Sequence, residues 1–490
     1  MGAKREQPAV AESLADYSAI QLLNGFRAGS FSPIDAMKAV LARIEAREPI
    51  VRALWGFDPE TATRKAEESA KRWRQGKPKG RLDGVPLTLK ENIPTKGLPL
   101  PLGCAATELV PAVEDGPPAA RLAEAGAILI SKTTMPDLGM LSSGLSSFHA
   151  LTTNPWNPAW NPGGSSAGAG AAAAAGYGPL HMGSDIGGSL RLPASWNAIV
   201  TLKPSAGRVP IDPPYFGRVA GPMTRTAADA ALMMSVVSKP DARDYMSLPP
   251  SRIRWNALSG FDPKGLRIGY LPSAGCGLPV DPATALAIRK AAELFERAGA
   301  RVERMDPFFS AEMLHDLDLF WRVRAWADYL TMKPERRKLV LPFIREWLEG
   351  GSEVTGTEMM RCVNRQLEVK KITQAATRPF DFVLSPVSPV PTYPAEWPMP
   401  SNDVTRAMDH IAFTVPYNMS DQPAASVNAG FGPDGKAIGL QIAGPRFSDL
   451  AVLRAVAWFE EARPREAVPD WSVPGKGLWK GASPNAKPGR

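Results

Sequence analysis

The chain has 490 residues, 44% of them hydrophobic and 22% charged, with a formal net charge of +8. That is enough apolar material for a large core, close to globular averages, and it confines expected disorder to the ends of the chain. Lys and Arg are spread along the chain, and part of the positive surplus lies in tails such as "KGLWKGASPNAKPGR", so neither nucleic acid nor an anionic surface is implied as a partner. Three cysteines, Cys104, Cys276 and Cys362, lie far apart and match no disulfide or zinc pattern, which fits a reducing cytoplasm. "MGAKREQPAV" lacks the apolar core of a signal peptide, and no stretch reads as membrane-spanning.

"SFSPIDAMKAVLARIEARE" reads as a helix, with Ser32 as cap, Pro33 in the first turn, and Ile34, Met37, Val40, Leu41 and Ile44 at helical spacing. A second helix is expected near Glu60 to Arg74. The loop "RQGKPKGRLDG" then leads into "VPLTLK", a short β-prone run ending at Lys90. "PPAARLAEAGAILISKTTMPDLGML" changes from helical spacing to the continuous apolar run Ala127 to Ile130, a helix followed by a strand. From Leu138 to Ser184 there is no Asp, Glu, Lys or Arg, which predicts burial. "LRIGYL", "DPATALAIRKAAELFERAGA" and "RVERM" spell a βαβ unit, with Asp281 as cap and Gly299 as stop. Residues from about Phe308 to Arg378 read as helical, and "FDFVLSPVSPVPTYP" as a strand entering a proline-rich loop.

The block "NPGGSSAGAGAAAAAGYGPLHMGSDIGGSLRLPAS", Asn161 to Ser195, is poor in side chains and rich in exposed backbone. "GAGAAA" loosely fits a dinucleotide fingerprint, and "GSSAG" fits the G-x-S-x-G nucleophile elbow centred on Ser166. Both need a strand directly before them, and "NPWNPAWNPGGSS" reads as a loop instead. The four histidines, His149, His181, His315 and His410, each have an ordinary packing, capping or surface reading.

Taken together, "LDGVPLTLKEN", "SKTTMPDLGML", "NPWNP", "GGSS", "GSDIGGSLRLPAS", "LKPSAGRVP", "GPMTRTAADAAL", "TVPYNMSDQPAASV" and "GLQIAG" resemble, in order, the amidase signature family. The likeness spans roughly residues 18 to 240 and 380 to 460. It implies an α/β fold, a large twisted mixed β-sheet covered on both faces by helices. The chain is read as a single domain (1–490): an N-terminal helical segment (about 10–75), a signature core (about 80–240), a helical elaboration (about 305–378), a C-terminal part of the core (about 380–465) and a basic tail (466–490).

The resemblance further implies a Ser-Ser-Lys triad: Ser189 as nucleophile, Ser165 as proton carrier on a cis peptide, and Lys90 as base. A lysine can serve as base if burial lowers its pKa by about 3 units, and the charge-free interior would supply the desolvation. "DIGGS" lets the N–H groups of Ile186, Gly187, Gly188 and Ser189 converge as an oxyanion hole. Ser166 and Ser184 are read as structural hydroxyls, and Asp185 and Arg191 as holding the turn.

The expected reaction is hydrolysis of a small uncharged amide, aryl amide or carbamate through an acyl-enzyme, with no cofactor and no metal. Met140 and Ser165 are expected to contact substrate. Trp156, Trp160, Tyr215 and Phe216 are candidate pocket residues, and "VPIDPPYFGRVAGP" is expected to overhang the entrance. Ala167, Thr201, Asp421 and Asn428 depart from the family pattern, which bears on pocket shape. Two alternatives stand beside this reading. One is the glutaminase component of a tRNA-dependent amidotransferase, against which Leu192 replaces a usual Gln; the other is a non-catalytic binding protein.

Overall fold

A computed structural model describes residues 13–471. The expected residues 10–12 and the tail beyond 471 lie outside that range. Among the described residues the strands are β1 (Leu54–Trp55), β2 (Pro86–Lys90), β3 (Ile128–Thr133), β4 (Leu180–Asp185), β5 (Val200–Lys203), β6 (Val219–Thr224), β7 (Arg267–Tyr270), β8 (Arg301–Arg304), β9 (Phe382–Pro386), β10 (Ala424–Phe431) and β11 (Ala437–Ala443). They form one 11-stranded sheet in the order β1-β3-β2-β4-β6-β5-β10-β11-β9-β7-β8. Pairings β3/β2/β4 and β9/β7/β8 are parallel, and the others are antiparallel. The sheet is therefore mixed, and it runs through both halves of the sequence.

Alternation along the strands shows how both faces are covered. β9 sends Phe382 and Leu384 into one apolar cluster and Val383 into another. The first cluster is closed by the helices Ala19–Ala28, Ala227–Val237, Pro282–Arg297 and Asp449–Ala462. The second is closed by Ala311–Thr331, Pro342–Glu349 and Gly356–Thr377, the expected helical elaboration.

The predicted helix starts occur for the stated reasons. Ser32 Oγ accepts from Asp35 N at 3.3 Å while Asp35 Oδ2 accepts from Ser32 N at 2.8 Å, and Pro33 opens the helix Pro33–Val51. The second helix runs Pro59–Arg74. Asp281 caps Pro282–Arg297, which joins the parallel neighbours β7 and β8 as a βαβ unit should.

The charge-free run divides in two. Every residue of 161–184 is buried, whereas 145–151 and 156–160, where Asn and Pro build turns, are largely half-exposed. At the centre of the buried part lies the helix Ala167–Ala175, nine residues of Ala and Gly, all buried. Its composition permits close approach on every side: a Cβ on Gly168 would lie 2.4 Å from the Ala53 carbonyl oxygen.

Candidate active site

Lys90 is the last residue of β2, and Ser184 and Asp185 end the parallel neighbour β4. Ser165 and Ser166 precede the Ala/Gly helix, Gly164–Ser165 is a cis peptide, and Ser189 follows β4 in the "DIGGS" turn. The site thus sits where the C-terminal ends of two parallel strands meet a helix N-terminus. Ser166 N donates to the Ser189 carbonyl oxygen at 3.3 Å, which ties the two serine-bearing segments together.

The Lys90 side chain is fully buried. Its Nζ lies 2.7 Å from Ser165 Oγ, 3.1 Å from Ser184 Oγ and 3.2 Å from Ser166 Oγ. Burial pulls its pKa down to about 7; Glu91 and Asp185 oppose the shift and Arg218 assists it. A neutral amine has two N–H groups and one lone pair, so one of the three hydroxyls must donate to it. Ser166 already donates to the Ser184 carbonyl oxygen at 3.0 Å, and Ser184 Oγ accepts from Asn92 Nδ2 at 3.1 Å. Ser165, the nearest, is the hydroxyl best placed to donate to Nζ.

The turn carrying Ser189 is anchored by a buried carboxylate. Asp185 Oδ1 accepts from Gly188 N at 2.8 Å, and Oδ2 from Leu190 N at 3.0 Å. Arg191 and Asn418 donate to the same carboxylate. Arg191 also reaches the Thr414 carbonyl and Gln441. This corrects the expected oxyanion hole: the Gly188 N–H is taken by Asp185, because the carboxylate folds back across the turn. The N–H groups of Ile186, Gly187 and Ser189 find no acceptor among the described residues. Gly188 has φ +132°, and a Cβ there would lie 2.7 Å from Thr414 Oγ1, so the glycine is required for shape.

Ser165, Ile186, Gly187 and Ser189 open on a cavity of about 730 Å³. Met140 lines it, as do Leu138, Met408 and Ile411, and so do Asp212, Pro213 and Arg218 from the loop after Arg208. The expected aromatic residues do not line it. Trp156 packs on Phe431 and Trp471, Trp160 lies under Lys436, Tyr215 is covered by Arg324, and Phe216 joins the second apolar cluster. The aromatic wall comes instead from Trp321 on the helical elaboration, with Arg324 one turn further on. Periodicity marks that helix, but nothing in its local sequence says that it reaches the site. Ala167, Thr201, Asp421 and Asn428 are not on the cavity wall.

Among the described residues no group of three His, Cys, Asp or Glu is placed to hold a metal, and no helix is long and apolar enough to cross a membrane.

The Amidase family profile matches residues 35–453. The chain is 32% identical over 456 residues to an acylamidase of Rhodococcus erythropolis, covering 91% of this chain and 95% of that one. It is 30% identical over 491 residues to one component of the glutamyl-tRNA(Gln) amidotransferase of Lachnospira eligens, covering 92% and 99%. Its fold superposes on a bacterial aryl acylamidase of the amidase signature enzymes with a TM-score of 0.85 at 28% identity, covering 94% and 98% of the two chains. The chain belongs to the amidase signature family and is an amidase-type hydrolase of carbon–nitrogen bonds other than peptide bonds.

Proposed function

We propose that the chain hydrolyses small amides of the acyl and aryl amide class, or the related carbamates, through an acyl-enzyme on Ser189. The observation that carries this reading is the buried Lys90 amine 2.7 Å from Ser165 Oγ, at the edge of the cavity that Ser189 also lines. Ser189 Oγ attacks the carbonyl carbon; its proton passes to Ser165 Oγ as the Ser165 proton passes to Lys90 Nζ. The oxyanion is met by the N–H groups of Ile186, Gly187 and Ser189. When the C–N bond breaks, the proton on Lys90 returns through Ser165 to the leaving nitrogen. Water then attacks the ester, passing its proton through Ser165 to Lys90, and that proton returns through Ser165 to Ser189 Oγ as the acid departs.

The wall supports a neutral acyl or leaving group: Leu138, Met140, Ile186, Trp321, Met408 and Ile411 are apolar, and Met140 and Ser165 are the proposed substrate contacts. Of the charged lining residues, Asp185 pairs with Arg191, Glu108 with Lys333 at 2.5 Å and Asp328 with Arg324 at 3.9 Å, and Arg218 donates to the Pro213 carbonyl within its own loop. The test is a hydrolysis screen over anilides, aliphatic amides, glutamine and carbamates, with mass spectrometry of the protein after a fluorophosphonate probe. The reading expects an adduct on Ser189 and loss of turnover in Lys90→Ala, Ser165→Ala and Ser189→Ala. An active Ser189→Ala protein refutes it. Glutamine as the sole substrate, with a co-purifying second protein, would assign the amidotransferase alternative.

A further inference from the structure

Ser142 lines the cavity, and its Oγ lies 2.7 Å from His410 Nε2 with both residues buried. Burial pulls the His410 pKa down to about 3, so the imidazole is neutral, with one N–H and one lone pair. The backbone of Ala407 is the other polar group beside the ring. A carbonyl can only accept, so the tautomer that suits both neighbours turns the ring N–H toward Ala407 and leaves Nε2 as an acceptor. In that tautomer the Ser142 hydroxyl donates into His410, and its oxygen is left to act as an acceptor on the cavity wall.

The backbone around this hydroxyl is fixed as well. Ser142 N donates to the Met399 sulfur at 3.4 Å, and the Ser142 carbonyl accepts from the Tyr393 hydroxyl at 2.5 Å. The strip also runs close to the proposed proton carrier. A Cβ on Gly139 would lie 3.6 Å from Ser165 Oγ, and one on Gly164 would lie 2.8 Å from the Leu141 carbonyl oxygen. The neighbours of Ser142 on the wall, Leu141, Met408 and Ile411, are apolar. A substrate N–H leaving water for such a wall needs an acceptor.

We infer that Ser142, held by His410, is a specificity-determining residue that accepts a hydrogen bond from the N–H of an amide or carbamate substrate. The inference rests on the hydrolase reading above. It implies that the cavity favours N–H-bearing substrates over esters of the same acid, which offer no donor at that place.

The test compares kcat/KM for an anilide and for the phenyl ester of the same acid, in wild type, Ser142→Ala and His410→Leu, with thermal melting as the check on folding. Loss of one neutral hydrogen bond is expected to lower the anilide-to-ester ratio by roughly 2- to 12-fold in Ser142→Ala. His410→Leu, which frees the hydroxyl to turn outward as a donor, is expected to lower it in the same direction. An unchanged ratio in a folded variant overturns the inference and leaves the hydrolase reading intact. The anilide is one that the wild type cleaves in the screen above; a wild type that cleaves no member of that screen overturns both readings.

Discussion

The Asp185 carboxylate and the Arg191 guanidinium form a two-point ion pair, Oδ1 to Nη2 and Oδ2 to Nε, both at 3.0 Å, with neither side chain exposed. Burial alone would raise the carboxyl pKa, but Arg191 and Asn418 hold it well below the ordinary range, so it stays ionised. That charge organises the turn between β4 and Ser189. Replacing Arg191 with Met would leave it uncompensated in the interior. Arg191→Met is expected to lose about 3–5 kcal/mol of stability together with turnover, checked by urea denaturation and a hydrolysis assay.

The three serines around Lys90 are not equivalent. Ser165→Ala removes the hydroxyl that donates to the amine and is expected to lower kcat by roughly 10²- to 10⁴-fold, the usual size of a general acid–base contribution. Ser166→Ala removes a bond between the helix start and the Ser184 backbone, with a smaller effect on kcat and a measurable drop in Tm. Steady-state kinetics and melting curves on the pair separate the roles; equal losses in kcat would contradict them.

A tightly approached helix has little room for even one methyl. At Gly168 a Cβ would lie 2.4 Å from the Ala53 carbonyl oxygen and 2.5 Å from Thr134 N, both backbone atoms that cannot swing aside. Gly168→Ala is expected to cost about 1–3 kcal/mol. The same change at Gly29, which has nothing within 4 Å, tests only its left-handed φ of +69°. Thermal denaturation of the two variants compares crowding with conformation.

Much of this could be read from the residues in order. Lys90 ends a β-prone run, the Gly/Ala/Ser block is buried as its lack of charge predicts, and the caps at Ser32 and Asp281 start their helices. The misses over the aromatic wall share a cause: contacts between residues distant in sequence. Trp156 and Trp160 stand near the signature in sequence, but their rings face the β10 side and Lys436 rather than the cavity. Trp321 enters the wall from a helix more than a hundred positions away, which no local pattern discloses. At Gly188 the miss is local: a turn of glycines advertises free N–H groups, while Asp185 three residues earlier folds back to claim one.

Trp321 supplies the aromatic part of the wall, and Gly187 lies against it: a Cβ on Gly187 would be 3.2 Å from the indole. Trp321→Ala is expected to enlarge the cavity and to shift preference toward bulkier acyl or leaving groups, read as the ratio of kcat/KM for large and small anilides. Equal loss on both would mean that the indole serves packing alone.

The most direct test of the account is the pH dependence of kcat/KM. A base with its pKa held near 7 by burial works only when unprotonated, so the rate is expected to stand on a plateau above about pH 8 and to fall tenfold per unit below about pH 6. A profile flat from about pH 5 to 9 on a stable protein would contradict Lys90 as the base.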